Sequence, residues 1–428
     1  MKKIISLILA VLMGLTLTAC GDTANGGKNN VEGNVSDVKG QGTPAETGAS
    51  ETESALANTA KLLKIEKKLT IGYIGGSITH GGSAAQKMGN SDLNKEGNLM
   101  NNWVNRTSTY FAEKYPDATI ETVNVGASNT QTNFGIFRLG SQLMNTDGHD
   151  MPDLVFVEFT TNDWIGGDNL KKEIESLLRN IYAANPYAEI VVVSTNVSAG
   201  SDSRKLYRSM CEEYGIPFVD VGLKLRSAIR EKHGTSDESG VKFYTVDNLH
   251  PSAEGYKLYT DYIIEVIEPL LETKLKSDKL YNIYENLRAP ICSNLITNPK
   301  ITLANTLTAS GNAALVEKPL TMFIYGTDLT DDTVTVVPNY IEMNTGSTVK
   351  FEFTGYTFGL LLGFTKNPFK VEYRIDGGEW KTYEMSSHLY EHTQAKILEY
   401  TLSDTNHTVE IKALTDGFRL GGLLTNEK

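Results

Sequence analysis

The sequence predicts an α/β domain built on a parallel sheet with helices on both faces, followed by a smaller β-sandwich. Three observations carry this. Between Leu69 and Leu271, apolar runs of strand length alternate with stretches of helical periodicity, the pattern of a parallel sheet. After Leu271 the pattern changes to short runs of alternating apolar and polar residues, the pattern of half-buried antiparallel strands. The chain has 428 residues, 40% hydrophobic and 21% charged, enough for more than one core.

Taken in order, Met1-Lys2-Lys3 is a positively charged start to an apolar run, Ile4 to Ala19. The run is short for a membrane span and reads as a secretory signal. It ends in Leu17-Thr18-Ala19-Cys20, which resembles the lipobox of bacterial lipoproteins. That resemblance implies lipidation of Cys20, with the protein outside the cytoplasm and held to the cell membrane by lipid alone. Residues 1–20 are thus expected to be signal. Residues 21–64, rich in Gly, Asn, Ser, Thr and Glu, are expected to be a disordered linker. The first folded domain is expected over 65–277 and the sandwich over 278–428.

Within the first domain, strands are expected at Leu69–Gly75, Thr119–Gly126, Asp153–Thr160, Glu189–Asn196 and Pro217–Val221. Helices are expected at Asn102–Lys114, Phe134–Met144, Leu170–Ala184, Arg204–Tyr214 and Ala253–Leu271. Pro116, Pro152, Pro186 and Pro217 punctuate the loops before strands. Ligands of such sheets bind beyond the carboxyl ends of the strands.

Those ends hold the polar residues of interest. The first strand breaks at Gly75-Gly76 and presents Ser77 where a helix begins, so its hydroxyl points outward and backbone N–H groups face what it attacks. Gly126 ends the second strand, Asn162-Asp163 follows the third, and Asp247-Asn248-Leu249-His250 precedes the last helix. Each has an ordinary explanation as a turn or a helix cap. Together they supply an acyl-transfer site. Ser77 is the nucleophile, His250 its base, and Asp247 the group that orients the imidazole. The N–H groups of Ser77 and Gly126 and the Asn162 side-chain amide form the oxyanion hole.

In order, Gly76-Ser77-Ile78-Thr79, Gly126, Asn162-Asp163 and Asp247-x-x-His250 resemble the four sequence blocks of the SGNH (GDSL-type) hydrolases. The resemblance spans about Leu69 to Leu271. It implies a flavodoxin-like three-layer α/β/α fold and esterase chemistry without a cofactor. Gly76 stands where the nominal GDSL block has Asp, and carbohydrate-acting members often read Gly-Gly-Ser there. The Gly-x-Ser-x-Gly elbow of ordinary α/β-hydrolases is absent, because position 79 is Thr.

Three further residues are weaker substrate-side candidates. His80 lacks an acidic orienter nearby and reads as a pocket wall rather than the base. Trp164 either stacks on a sugar ring or plugs its loop. Arg138 either braces the Gly126 loop or faces solvent. The polar stretch Ser83–Asn102 is long for a connection and reads as a substrate-side loop.

In the last third, strands are expected at Thr348–Phe353, Phe369–Ile375, Ala395–Leu402 and Thr408–Ala413. A tight turn is expected at Asp376-Gly377-Gly378. Val371, Tyr373 and Ile375 are expected on one face of their strand. This segment resembles the jelly-roll module of family-two carbohydrate esterases, with the domain order reversed. His388-Leu389-Tyr390-Glu391-His392 spells an inverted zinc-peptidase motif, but no helical pattern surrounds it, so no metal is expected. Cys211 reads as a small buried apolar residue, and a Cys211–Cys292 disulfide is permitted but not fixed.

The formal net charge of −12 argues against nucleic acid as a partner and suits a neutral substrate. The expected activity is removal of short acyl groups, acetyl first, from a carbohydrate through an acyl-enzyme on Ser77. Two alternatives stay open: an extracytoplasmic polysaccharide O-acyltransferase with the same triad, and a non-catalytic carbohydrate-binding lipoprotein.

Overall fold

A computed structural model describes residues 53–82, 101–144, 147–163, 166–233, 241, 243–320, 322–323, 330–331, 337–386 and 391–426. The expected signal, Cys20, Trp164, His388 and most of the Ser83–Asn102 loop lie outside these residues. The described residues belong to one compact unit, Thr52–Lys428.

The first sheet contains β1 (Lys68–Gly75), β2 (Thr119–Asn124), β3 (Leu154–Glu158), β4 (Glu189–Val193) and β5 (Phe218–Val219). They pair in the order β2-β1-β3-β4-β5, every pair parallel. This is the flavodoxin-like order, and it reverses direction between β1 and β3, where a crevice opens at the strand ends. The runs Leu-Val-Phe-Val-Glu of β3 and Glu-Ile-Val-Val-Val of β4 are buried throughout, because helices cover both faces of the central strands. One core places Tyr73, Phe156, Trp103, Phe111 and Tyr256 between the sheet and the helices Trp103–Lys114 and Ala253–Leu271. The opposite core joins Ile74 and Val157 to the helices Thr132–Arg138 and Asp168–Ala184. Side chains cap several helix starts: Asn102, Ser201 and Ser252 accept from Asn105, Arg204 and Gly255 N–H. A further helix, Val221–His233, was not expected.

Two expected boundaries need correction. The linker does not extend to residue 64, since Ala57–Lys61 is helical and Leu62–Glu66 continues it as a π-helical turn. Leu56, Ala60 and Leu63 recur at helical spacing and are fully buried. The Glu189 carboxylate accepts from the N–H groups of Asn58 and Thr59, both at 2.8 Å, and so satisfies the start of that helix. The sandwich does not begin at 278 either. Residues before Pro299 lie along the first domain: Ile291 and Cys292 N–H donate to Glu175 at 2.7 Å, and Ile296 is fully buried in the core shared with Ile174 and Leu177.

The sandwich itself is as expected in kind. One sheet orders His392–Glu399, Phe358–Phe364, Phe418–Asn426, Tyr340–Met343 and Ala313–Val316, with Pro299–Leu303 also paired to Phe418–Asn426. The other orders Lys381–Met385, Phe369–Ile375, Asn406–Ala413, Thr348–Thr354 and Thr308–Ser310. Val371 and Tyr373 point into the interior. Asp376 and Gly377 take φ of 53° and 69°, the left-handed pair of a two-residue hairpin turn. Phe358–Phe364 was missed because its Phe-Gly-Leu-Leu-Leu-Gly-Phe run does not alternate. It is buried on both faces: Leu360 and Leu362 face the sandwich interior, while Leu361 joins the core of the first domain. Cys211 and Cys292 are both free.

Candidate active site

β1 ends at Gly75, and the helical turn Ser77–His80 starts immediately after Gly76. The two glycines are required by close approach. A Cβ on Gly75 would lie 2.1 Å from Thr79 Oγ1 and 2.5 Å from the Glu158 carbonyl. A Cβ on Gly76 would lie 2.4 Å from Asn162 Oδ1. Position 76 therefore leaves no room for a side chain while Asn162 holds its place, which accounts physically for the departure from the nominal GDSL block.

The Ser77 hydroxyl is 2.6 Å from His250 Nε2, and His250 Nδ1–H donates to Asp247 Oδ2 at 3.0 Å. Residues from opposite ends of the domain thus meet as serine, imidazole and carboxylate, the arrangement in which the hydroxyl can pass its proton to the ring. Ser77 and His250 are nearly buried, at 8% and 4% exposure. The other Asp247 oxygen accepts from the N–H groups of His250 at 2.7 Å and Leu249 at 3.1 Å. A single carboxylate therefore fixes both the ring and the turn that carries it. Asn248 adopts φ of 75°, a conformation that Asn tolerates better than most residues.

The groups expected around the oxyanion divide. Asn162 packs its side-chain amide against Gly76, beside the nucleophile. Ser77 N–H stands at the start of its helical turn, where no intrahelical acceptor exists. Gly126 backs onto the Thr79–His80 backbone, 2.3 Å from His80 N at the position a Cβ would take. Its N–H, expected to face the oxyanion, instead donates to Asn124 Oδ1 at 2.9 Å.

Of the two readings of Arg138, the brace of the Gly126 loop is the one the structure shows, and the solvent-facing and substrate-side readings are corrected. Arg138 is fully buried, and its guanidinium donates to the carbonyls of Val125 at 2.5 Å and Gly75 at 3.1 Å and to Gln142 Oε1 at 2.9 Å. It ties the ends of β1 and β2 together and is not available to a substrate. Burial without a carboxylate partner lowers its pKa to about 9. His80 lies at the end of the nucleophile turn against Gly126, while His250 occupies the base position. His392, from the metal-like motif, stacks on Phe364 with ring centroids 4.9 Å apart. Among the described residues no group of three or more His, Cys, Asp or Glu is placed to hold a metal.

Sequence reasoning missed Glu158 beneath the site and gave Asp163 no role beyond its place in the Asn162-Asp163 block. Glu158, fully buried at the end of β3, accepts from Thr79 Oγ1 at 2.8 Å and Thr195 Oγ1 at 2.6 Å, and its carbonyl accepts from Gly76 N–H. Burial pushes its carboxyl up to about 7. Asp163 accepts from Thr132 N–H at 3.1 Å, from the Thr132 hydroxyl and from Tyr207 OH, and burial pushes it up to about 6. The available signal was an acid closing an otherwise apolar strand, a position that needs a buried partner.

Residues 73–258 match the GDSL-like lipase/acylhydrolase family. No curated protein gives a significant sequence match. Among solved structures, the chain is similar to a two-domain esterase described as active on acetylated mannans. The TM-score is 0.67 at 16% identity, covering 88% of this chain and 96% of that one. The same esterase co-crystallised with mannopentaose aligns equally well, with TM-score 0.67 at 16% identity and the same coverage. An acetyl xylan esterase from Geobacillus stearothermophilus aligns with TM-score 0.33 at 19% identity, over 46% of this chain and 94% of that one. The two-domain match agrees with an α/β/α domain carrying a C-terminal sandwich. Residues 73–258 therefore form a GDSL-like lipase/acylhydrolase domain, the SGNH-type esterase domain of this chain.

Proposed function

We propose that the chain is a serine carbohydrate esterase that removes short acyl groups, acetyl first, from a polysaccharide. The observation that carries this is the Ser77–His250–Asp247 contact series, 2.6 Å and then 3.0 Å. In the proposed mechanism Ser77 Oγ attacks the ester carbonyl as His250 Nε2 takes its proton. Asp247 holds the imidazolium, and Ser77 N–H and the Asn162 amide receive the oxyanion. The protonated His250 then gives its proton to the departing sugar hydroxyl, leaving an acyl-enzyme on Ser77. A water deprotonated by His250 hydrolyses that ester. Gly126 N–H adds a third donor only if it leaves Asn124.

The carbohydrate assignment is supported by the two-domain esterase described as active on acetylated mannans and by the net charge of −12, which suits a neutral polymer. Lipid anchoring at Cys20, supported by Leu17-Thr18-Ala19-Cys20, completes the proposal, and loss of labelled palmitate from Cys20→Ser protein tests it. For the activity, turnover of p-nitrophenyl acetate and octanoate is measured beside Ser77→Ala, followed by acetate release from acetylated mannan and xylan. Ser77-dependent turnover favouring acetyl, with acetate released from either polymer, is the expected result. Preference for octanoyl, or no release from the polymers, would reject the carbohydrate assignment.

A further inference from the structure

Among the described residues, the sandwich meets the first domain at a place that bears directly on the catalytic corner. The strand His392–Glu399 lies on the outer edge of its sheet, paired to Phe358–Phe364. Two side chains from its start reach the loop after β2. Asn129 Nδ2 donates to His392 Nε2 at 2.8 Å, since an amide nitrogen can only donate. Gln394 Nε2 donates to the Asn129 carbonyl at 2.5 Å. Asn129 is held from both its side chain and its backbone, in a left-handed conformation with φ of 60°. His392 is itself fixed, 3% exposed and stacked on Phe364.

Asn129 stands three residues after Gly126 and two before Gln131. Gln131 Nε2 donates to the Asn162 carbonyl at 2.9 Å, so the same short loop borders both Gly126 and Asn162. A displacement at Asn129 passes to each through a few bonds. A misplacement of about 1 Å near reacting groups is enough to cost on the order of 10²-fold in rate.

We propose that His392 and Gln394 are positioning residues for the ester hydrolysis. They clamp Asn129, fix the Gly126–Gln131 loop and thereby hold Asn162 where the oxyanion forms. The sandwich is then a working part of the active site and not only an appended module. This rests on the esterase reading above for its catalytic consequence, but the clamp itself does not.

The test uses the folded protein with His392→Ala, Gln394→Ala, Asn129→Gly and the His392→Ala/Asn129→Gly pair. Glycine keeps the left-handed backbone of residue 129 while removing its side chain. Amide hydrogen exchange over residues 125–131 reads the clamp, and kcat and KM on p-nitrophenyl acetate read its effect. Faster exchange in that loop is expected for His392→Ala and Gln394→Ala, with kcat down on the order of 10-fold or more and KM changed less. The double variant should lose no more than the worse single one, because both singles break the same contact. Unchanged loop exchange, or faster exchange with unchanged kcat in a parent that shows Ser77-dependent turnover, would overturn the proposal. A parent without such turnover would reject the esterase reading and the catalytic role with it, while the exchange data would still show whether the clamp exists.

Discussion

Two of the buried histidines, His250 and His407, are each held by a carboxylate, and a serine lies near each. In the first domain His250 Nδ1 meets Asp247 at 3.0 Å and Nε2 meets the Ser77 hydroxyl at 2.6 Å. In the sandwich His407 Nδ1 meets Asp376 at 2.7 Å, and Nε2 meets the Ser403 carbonyl at 2.7 Å, with the Ser403 hydroxyl further off at 3.4 Å. A carboxylate and a carbonyl can only accept, so the two nitrogens of His407 face acceptors that favour the protonated ring, whereas His250 Nε2 faces a hydroxyl. Burial works against that charge, but the bonds from Asp376 and Ser403 outweigh it and raise the His407 pKa above its ordinary value. The second cluster is a staple, and the first is a site. The difference lies in what faces Nε2 and in the donors around the serine, not in the pairing of His with Asp.

Ser77→Ala breaks this comparison most sharply: turnover of p-nitrophenyl acetate should fall on the order of 10⁴-fold or more, while Ser403→Ala leaves it unchanged. Equal effects of the two would erase the distinction. Asn162→Ala comes next, with an expected loss on the order of 10²–10³ in kcat, the usual cost of one oxyanion donor. No equivalent amide serves Ser403 among the described contacts, so the loss is expected on one side only.

The buried acids give the third prediction. Burial raises Glu158 and Glu189 to about 7 and Glu173 to about 8. A raised folded-state pKa stabilises below the unfolded value and the contribution is lost as pH rises through the folded value. The melting temperature should therefore fall between about pH 5 and 8, and Glu158→Gln should flatten part of that slope. A flat profile in the parent would contradict the buried-acid description. The smallest effect belongs to the staple. His407→Gln should lower the melting temperature by a few degrees and leave kcat untouched. Because His407 is raised, its contribution is complete below the ordinary His pKa and fades as pH rises, so parent and variant should converge at alkaline pH.

Much of this was legible because the chemistry sits where strands stop. Gly75-Gly76-Ser77, Asn162 and Asp247-x-x-His250 interrupt strong apolar or helical patterns, and each interruption needs a reason. The expected strands at Thr119, Asp153 and Glu189 begin within a residue of the observed ones, since Pro and polar residues mark those entries. What escaped was tertiary. Residues 53–64 look like linker because Asn58, Thr59 and Lys61 are polar, yet Asn58 is buried against the carbonyls of Tyr187 and Tyr281. Nothing local announces those partners. Arg138 was legible only as a choice between a loop brace and a solvent-facing residue, and the fold decides for the brace by bringing the Gly75 and Val125 carbonyls to it. Phe358–Phe364 has no alternation because it faces two cores at once, and a period-two search cannot find it.

That strand has a consequence for how the protein can be divided. Leu361, Ala395, Ile397 and Leu424 of the sandwich share one continuous apolar core with Ile136, Ile174 and Leu177 of the first domain. Cutting the chain between them would strand greasy surface on both pieces. The sandwich is therefore not a cassette to be moved onto another enzyme, and the first domain is not a minimal catalyst to be expressed by trimming.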